Sequence, residues 1–322
     1  IAKYPKNCLV EVSNGCNHKC LFCYNTLMRR KVGKLNKDIF SKFISEGIQL
    51  GLEEVGLYST GEPFINKDLD EYIERAKGLG IARVYVTSNG VLADIETVKN
   101  AYFKGLDSIK FSINGSNRQQ YAVIHGKDDW EKLLKNLKNI YDFSESLKEQ
   151  GSRPLQLLGS CIMTKLSSEI EEEHRSIFGK YLSDIKYLYA HNQAGRMNSS
   201  VDKISLPQGE LEEKDTKPCQ MLWNRYHLTS EGYLTCCCVD YEHDLVFADL
   251  NKSSLKDSWN NDLIQSVRRS HLKKELKGML CYNCLTGKDE KYDPLIKTDE
   301  YNSESNARKL DDYNRRLENL KI

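Results

Sequence analysis

The chain has 322 residues, 39% of them apolar, and its 47 basic residues nearly balance its 46 acidic ones, leaving a formal net charge of +1. That length suffices for one large domain or for a large domain with a small companion, and the balanced charge argues against a nucleic-acid partner. No run approaches the roughly 20 apolar residues that span a bilayer, and no secretory signal opens the chain. Eleven cysteines gathered toward the two ends of such a chain read as metal ligands in a reducing cytosol rather than as disulfides.

The first half alternates strand and helix. Apolar runs predict strands at Cys8–Val12, Glu54–Tyr58, Arg83–Thr87, Ser108–Ile113, Leu155–Met163 and Ile185–Tyr189. Helical spacing predicts helices at Asp38–Leu50 behind Asn36, Asp68–Leu79 before Gly80, Ile95–Phe103 before Gly105, Asp129–Leu147 and Ser168–Tyr181. Six such βα units imply a parallel sheet with right-handed crossovers, too few strands for a closed eight-fold barrel. The expected fold is therefore α/β, an open partial (β/α)6 TIM-like barrel over residues 1–191, with its chemistry at the carboxyl ends of the strands. The polar stretch Asn192–Lys217 reads as a linker. Residues 218–285 form a small cysteine-rich domain with a hairpin at Tyr226–Thr229 and Tyr233–Cys236 and a helix at Leu263–Leu276. Residues 286–322 read as a charged tail containing a helix at Ser303–Leu320, and Arg29-Arg30-Lys31 as a solvated charge run.

The most informative stretch is Ser13–Asn25, SNGCNHKCLFCYN, which places Cys16, Cys20 and Cys23 just past the first strand. Thiolates suit zinc or iron–sulfur clusters. Structural zinc sites take four protein ligands, whereas three thiolates on a four-iron cluster leave one iron open. The C-x3-C-x2-C spacing, with Phe22 before its last cysteine, resembles the cluster loop of the radical S-adenosylmethionine (radical SAM) superfamily. Ser59-Thr60-Gly61-Glu62-Pro63 is similar to that family's GGEP turn, with Thr60 at the usual first glycine. Ser88-Asn89-Gly90 is similar to its SNG turn, and Ser112-Ile113-Asn114-Gly115 to its S-x-D-G stretch, with Asn114 in place of the acid. Tyr121-x3-His125-Gly126 resembles a Y-x-x-x-R-G pattern with His125 where the family has Arg.

The resemblance, covering roughly residues 7–190, implies S-adenosylmethionine (SAM) and a [4Fe–4S] cluster held by Cys16, Cys20 and Cys23. It further implies Glu62 at the methionine amino group, and Phe22, Thr60, Gly61, Ser88, Asn89, Ser112 and Asn114 around the bound molecule. Reductive cleavage of SAM to a 5′-deoxyadenosyl radical, fed by a one-electron donor such as flavodoxin or ferredoxin, is the implied chemistry.

A second resemblance lies near the carboxyl end. Cys219, Gly232 and Cys237 match the opening C-x(9–15)-G-x4-C of the SPASM extension found on many radical SAM enzymes, and Cys281 and Cys284 form its C-x2-C pair. With no cysteine after Cys284, the resemblance implies one auxiliary [4Fe–4S] cluster on Cys219, Cys237, Cys281 and Cys284. A four-thiolate zinc site is the alternative. Cys161, Cys236 and Cys238 are candidate hydrogen-atom donors to a substrate radical, against packing roles; Cys8 reads as core. His18, His191-Asn192, Tyr58, Tyr85 and Tyr189 read as structural residues near the site. Fifteen residues precede Cys16, which counts against a separate leader-peptide domain. The expected substrate is thus a carbohydrate or related small metabolite, undergoing oxidation or epimerisation. A peptide or protein client, or a non-catalytic iron–sulfur or zinc protein, are the alternatives.

Overall fold

Strand and helix alternate from Asn7 to Tyr189 in the computed structural model, which describes residues 3–167, 169–197, 203–204, 211–298 and 304–320. Strands β1 (Asn7–Val10), β2 (Glu54–Gly56), β3 (Arg83–Ser88), β4 (Ser108–Ser112), β5 (Gln156–Met163) and β6 (Ile185–Tyr189) pair in parallel, in sequence order. Between them run α1 (Lys37–Gln49), α2 (Leu69–Leu79), α3 (Ile95–Phe103), α4 (Arg118–His125), α5 (Trp130–Glu149) and α6 (Glu171–Phe178). The sheet is open, as six units require. Asn36 caps α1, its side chain accepting the Asp38 and Ile39 amides, and Gly80 ends α2 in the left-handed conformation at φ 110°. Helix α4 was not expected: Asn117 caps it, but it is only eight residues long. The helix expected at Ser168–Tyr181 is shorter, and residue 168 lies outside the described residues.

The strands carry two different faces. On β3, Val84 and Val86 are buried against helices while Arg83, Tyr85 and Thr87 face the concave side. The same alternation puts Ile109 and Phe111 of β4 in the helix-side core and Lys110 in the lumen. Cys8 belongs to that core, as expected.

The carboxyl-terminal third adds strands to the same sheet. Strand β7 (Tyr226–Leu228) pairs in parallel with β1, Cys8 opposite Tyr226. Strands β8 (Tyr233–Thr235) and β9 (Val246–Asp249) then continue antiparallel, giving one nine-stranded sheet, β6-β5-β4-β3-β2-β1-β7-β8-β9. The expected hairpin therefore extends the same sheet. It is followed by α8 (Leu255–Trp259), α9 (Asp262–Lys273) and α10 (Leu280–Thr286), after the single turn α7 (Met221–Asn224). Of the expected linker, residues 198–202 and 205–210 lie outside the described residues. The terminal helix, α11 (Glu304–Glu318), packs back on the cluster loop: Tyr313 donates to the Leu21 carbonyl at 2.6 Å, and Tyr313 and Leu317 share a small core with Leu21, Leu27 and Met197.

His174 on α6 is fully buried between the Ile113 carbonyl (Nε2, 3.0 Å) and the Tyr187 hydroxyl (Nδ1, 3.1 Å). Burial pushes it down from 6.5 to about 4, so the folded protein holds it neutral. Its contribution is therefore complete above pH 6.5 and is lost as the pH falls from there through about 4. This amounts to on the order of 3 kcal/mol. Urea midpoints measured across that range should fall less steeply for His174→Gln than for the wild type.

Candidate active site

The loops at the carboxyl ends of β1, β2 and β3 converge. Cys16, Cys20 and Cys23 lie on the β1 loop, all partly buried, and each neighbours another of the three closely enough to perturb its ionisation. Burial, then Glu62 and Cys23, push the Cys16 thiol up to about 12. Three thiols so hard to ionise together fit a multiply charged metal centre. Among the described residues, the one group of three ligand atoms all within 4.8 Å of one another is His18, Cys20 and His125. The cysteine sets are thus spread wider than a single tetrahedral zinc ion, with its zinc–sulfur bonds of about 2.3 Å, would hold them.

The β2 turn is clamped to this loop. Glu62 N donates to the Gly15 carbonyl at 2.8 Å, and a Cβ on Gly61 would fall 2.5 Å from the Ser13 carbonyl oxygen and 2.6 Å from that of Gly15. Glycine is required there because two backbones touch. The Glu62 carboxylate is buried and takes the Phe64 amide (3.1 Å), the Ser88 hydroxyl (2.8 Å) and the Asn89 amide (2.8 Å). It therefore bridges the second and third turns. Burial nevertheless pushes it up to about 7 despite those donors, so an ammonium at its side would be welcome. Asn89 Nδ2 donates to Asn17 Oδ1 at 2.8 Å, which leaves Asn17 Nδ2 buried without a partner. That orphaned donor beside the cysteine loop fits an acceptor on the implied SAM molecule.

Two assignments change meaning. Asn114 Oδ1 accepts the Ile162 amide (2.7 Å), and its own amide donates to His125 Nε2 (3.1 Å). His125 Nδ1 meets His18 Nδ1 at 3.1 Å, and His18 Nε2 reaches Asp129 at 3.2 Å. A single tautomer set satisfies this relay: Asn114 N–H to His125, His125 Nδ1–H to His18, and His18 Nε2–H to Asp129. Both nitrogens of His125 are consumed in bracing the cysteine loop. His18 does more than cap a turn, and Ser112, 3.3 Å from Asn114 Nδ2, keeps its place on the lumen side of β4.

Arg30 is not solvated, as a charge run would have it. It is 5% exposed and binds Glu11 at 2.6 Å. Glu11, 2% exposed, also receives the Thr60 hydroxyl and, from the β7–β8 turn, the Ser230 amide (3.0 Å) and hydroxyl (2.9 Å). Arg30 further contacts His243 and lies 3.8 Å from Glu231. A charge run looks solvated because most are; nothing in its spacing reveals a carboxylate at the end of β1. Tyr241 was also missed. Its hydroxyl lies 3.4 Å from Cys23 Sγ and donates to Gln193 at 2.9 Å.

Six cysteines gather beside β8 and α10. Cys281 and Cys284 sit three residues apart on α10, and Asn192 pins the turn by donating to the Asn283 (3.2 Å) and Cys284 (3.1 Å) carbonyls. Cys237 neighbours Cys238 and Cys284, while the buried Cys236 neighbours Cys281 and Cys219. Cys238 neighbours Arg225 and Lys110 and so borders the lumen, and Ser59 donates to its carbonyl at 3.2 Å. Cys161 points the other way, into a core of Met163, Ile170 and Tyr187. Of the three candidate hydrogen donors, the structure brings only Cys238 to the lumen. Removing Glu11 would take from Arg30 its close partner and leave only Glu231 at 3.8 Å: Glu11→Ala should cost about 3 kcal/mol, read as a lowered urea midpoint, with a smaller loss for Glu11→Gln.

Comparison with known proteins bears on this arrangement. Residues 10–145 match the profile of the Radical SAM superfamily, and residues 219–285 that of SPASM, an iron-sulfur cluster-binding domain. A "Probable GTP 3',8-cyclase" of Sulfolobus acidocaldarius is 24% identical over 81% of this chain and 90% of its own length. One of the same name from Sulfurisphaera tokodaii is 31% identical, but the match spans 48% of this chain and less than half, 46%, of that relative. Among solved structures, BtrN in complex with AdoMet and 2-DOIA superposes with a TM-score of 0.60 at 16% identity, over 91% of this chain and 98% of its own. Streptococcus suis SuiB bound to precursor peptide SuiA gives 0.63 at 16% identity, over 82% and 67%. The enzyme anSMEcpe with bound AdoMet and a peptide gives 0.62 at 14% identity, over 98% of both chains. The structural likenesses establish the partial-barrel fold. The two family matches together cover more than half of the sequence, and the chain belongs to the radical SAM superfamily, as an enzyme with a C-terminal SPASM domain whose cofactors are SAM, the [4Fe–4S] cluster that binds it and an auxiliary iron–sulfur cluster.

Proposed function

We propose that this enzyme oxidises a small polyhydroxylated metabolite, a carbohydrate or a close relative, held in the lumen of the partial barrel. When bound, the cluster and SAM supply a 5′-deoxyadenosyl radical able to take a hydrogen atom from an unactivated carbon. The residues of this chain do the rest. Cys16, Cys20 and Cys23 hold the SAM-binding cluster. Glu62, anchored by Ser88 and Asn89, receives the amino group. Asn17 Nδ2 donates toward the bound molecule. The His125–His18–Asp129 relay keeps the cysteine loop in place, and Tyr241 covers Cys23 against water. Cys219, Cys237, Cys281 and Cys284 hold the auxiliary cluster, a closed set suited to accepting an electron.

The observation that carries this reading is the placement of the second cysteine set at the lumen wall, joined to the first through Tyr241 and to the β2 turn through Ser59. An electron outlet so placed favours oxidation. A lumen cavity of about 250 Å³, lined by Tyr58, Tyr85 and Lys110 among others, gives room for a small molecule. Epimerisation would instead draw a hydrogen atom from Cys238, the one candidate thiol facing the lumen.

Anaerobic reconstitution, reduction with SAM present, and quantification of 5′-deoxyadenosine with and without size-fractionated cell extract test the proposal. Stimulation by the small, protease-resistant fraction is expected; stimulation by a protease-sensitive fraction would make the client a peptide or protein. Cys16→Ala/Cys20→Ala/Cys23→Ala should abolish 5′-deoxyadenosine while roughly half of the iron, that of the auxiliary cluster, remains by metal analysis. Loss of all iron would show that the two sites do not fill independently.

A further inference from the structure

Four cations share the concave face of the sheet below the SAM site: Arg83 of β3, which donates to Gln156 Oε1 at 2.9 Å, and the trio Lys110 of β4, Lys186 of β6 and Arg225 just before β7. They line one cavity with Tyr58 and Tyr85. Lys110 Nζ stands 5.7 Å from the Tyr58 ring centroid. Among the described residues, no carboxylate lies within 4 Å of any of the three; every ion pair involves other side chains. Glu54, which accepts from Asn7 Nδ2 at 2.9 Å, and Asp184 also line the cavity, so its cations outnumber its carboxylates by two. The Arg225 Nε is buried without a partner. Burial first, then the nearby charges of Lys186 and Arg225, push the Lys110 ammonium down. Lys110 and Arg225 are half-buried and Lys186 stands at the exposed edge, so the three converge on a recess that an anion from outside can enter.

We infer that Lys110, Lys186 and Arg225 form the subsite for a phosphate ester on the substrate. This rests on the reading that the lumen holds the substrate and narrows its class to phosphorylated small metabolites. Charge selects phosphate: a phosphate ester carries about −1.5 to −2 at neutral pH and matches the cavity's excess of two cations, whereas one carboxylate would answer only half of it. Position agrees. Lys110 lies two residues before Ser112 on β4, about 7 Å down the strand. A phosphate seated there leaves the carbon skeleton rising toward Ser112 and Cys238, where the reacting carbon must be. The competing explanation is that the trio only balances the auxiliary cluster behind Cys238.

The test is calorimetric titration of the fully reconstituted holoenzyme with three probes: glucose 6-phosphate, glucuronate and glucose. Glucose 6-phosphate should bind, more weakly as salt rises, and glucuronate and glucose should bind at least roughly tenfold more weakly. Lys110→Met, Lys186→Met and Arg225→Met should each weaken glucose 6-phosphate roughly tenfold or more, while Lys110→Arg, which keeps the charge, retains it. Equal binding of glucuronate, no binding of any probe, or unchanged binding by the Lys110→Met/Lys186→Met double variant at full iron content would overturn the inference. Cleavage of SAM by the reduced wild-type enzyme without substrate is measured alongside. Cleavage without phosphate selectivity sinks the subsite alone; phosphate selectivity without cleavage upholds the subsite and sinks the proposed reaction.

Discussion

The buried Glu11–Arg30 pair is the constraint on which the site depends. A carboxylate and a guanidinium removed from water are costly unless every lone pair and proton finds a partner. The carboxylate side meets that condition by recruiting three different loops, Arg30 beyond the cysteine loop, Thr60 from the β2 turn and Ser230 from the β7–β8 turn, while Arg30 Nε stays buried without a partner. Because a half-satisfied buried charge is worse than none, these loops are bound to one another's positions. Thr60 holds the position at which the family turn usually has glycine, and here its hydroxyl is one of the partners that completes the carboxylate. The departure from the family pattern is thus compensated locally.

The second consequence concerns rigidity. A cysteine-rich extension attached by a linker would sit against the barrel through side chains alone. Here β7 hydrogen-bonds directly to β1, the strand that ends at Glu11 and launches the cysteine loop. The two cysteine sets are therefore positioned by one backbone ladder, and Tyr241 reaches Cys23 from a loop grown on that ladder. From the other side α11 buttresses the same loop through Tyr313 and through Lys19–Asp312 at 3.3 Å. Both carboxyl-terminal segments thus bear on three cysteines near the amino terminus.

The six βα units were legible because each carries its own periodicity, so an open parallel sheet follows from local pattern. The loop cysteines and the turn at Glu62 were legible because their chemistry demands particular residues at short spacing. The misses share one cause, partners distant in sequence. Arg30 meets a carboxylate nineteen positions earlier, and Tyr226 pairs with Cys8 across most of the chain. His125 acquires its role only when α4 folds back on the cysteine loop, its carbonyl accepting the Lys19 amide at 3.0 Å. Helix α4 itself is too short for a periodic signal. Cys161 and Cys238 look alike as residues; only strand alternation and the loop path show that one faces the helices and the other the lumen.

That difference bears on the choice between oxidation and epimerisation. Both begin from a substrate radical, and they part at what lies nearest to it. A thiol returns a hydrogen atom and needs its sulfur within contact of the radical carbon, whereas an iron–sulfur cluster accepts an electron and needs only to be close. Cys238 sits where the two possibilities overlap, between Cys237 and Cys284 on one side and Arg225 and Lys110 on the other. If its sulfur ligates the auxiliary cluster in place of Cys237, the lumen loses its only candidate donor thiol and gains a nearer electron acceptor. The ligand choice at this three-cysteine run therefore bears on the proposed reaction: Cys238 as a cluster ligand favours the oxidation, and Cys238 as a free thiol within contact of the substrate favours epimerisation.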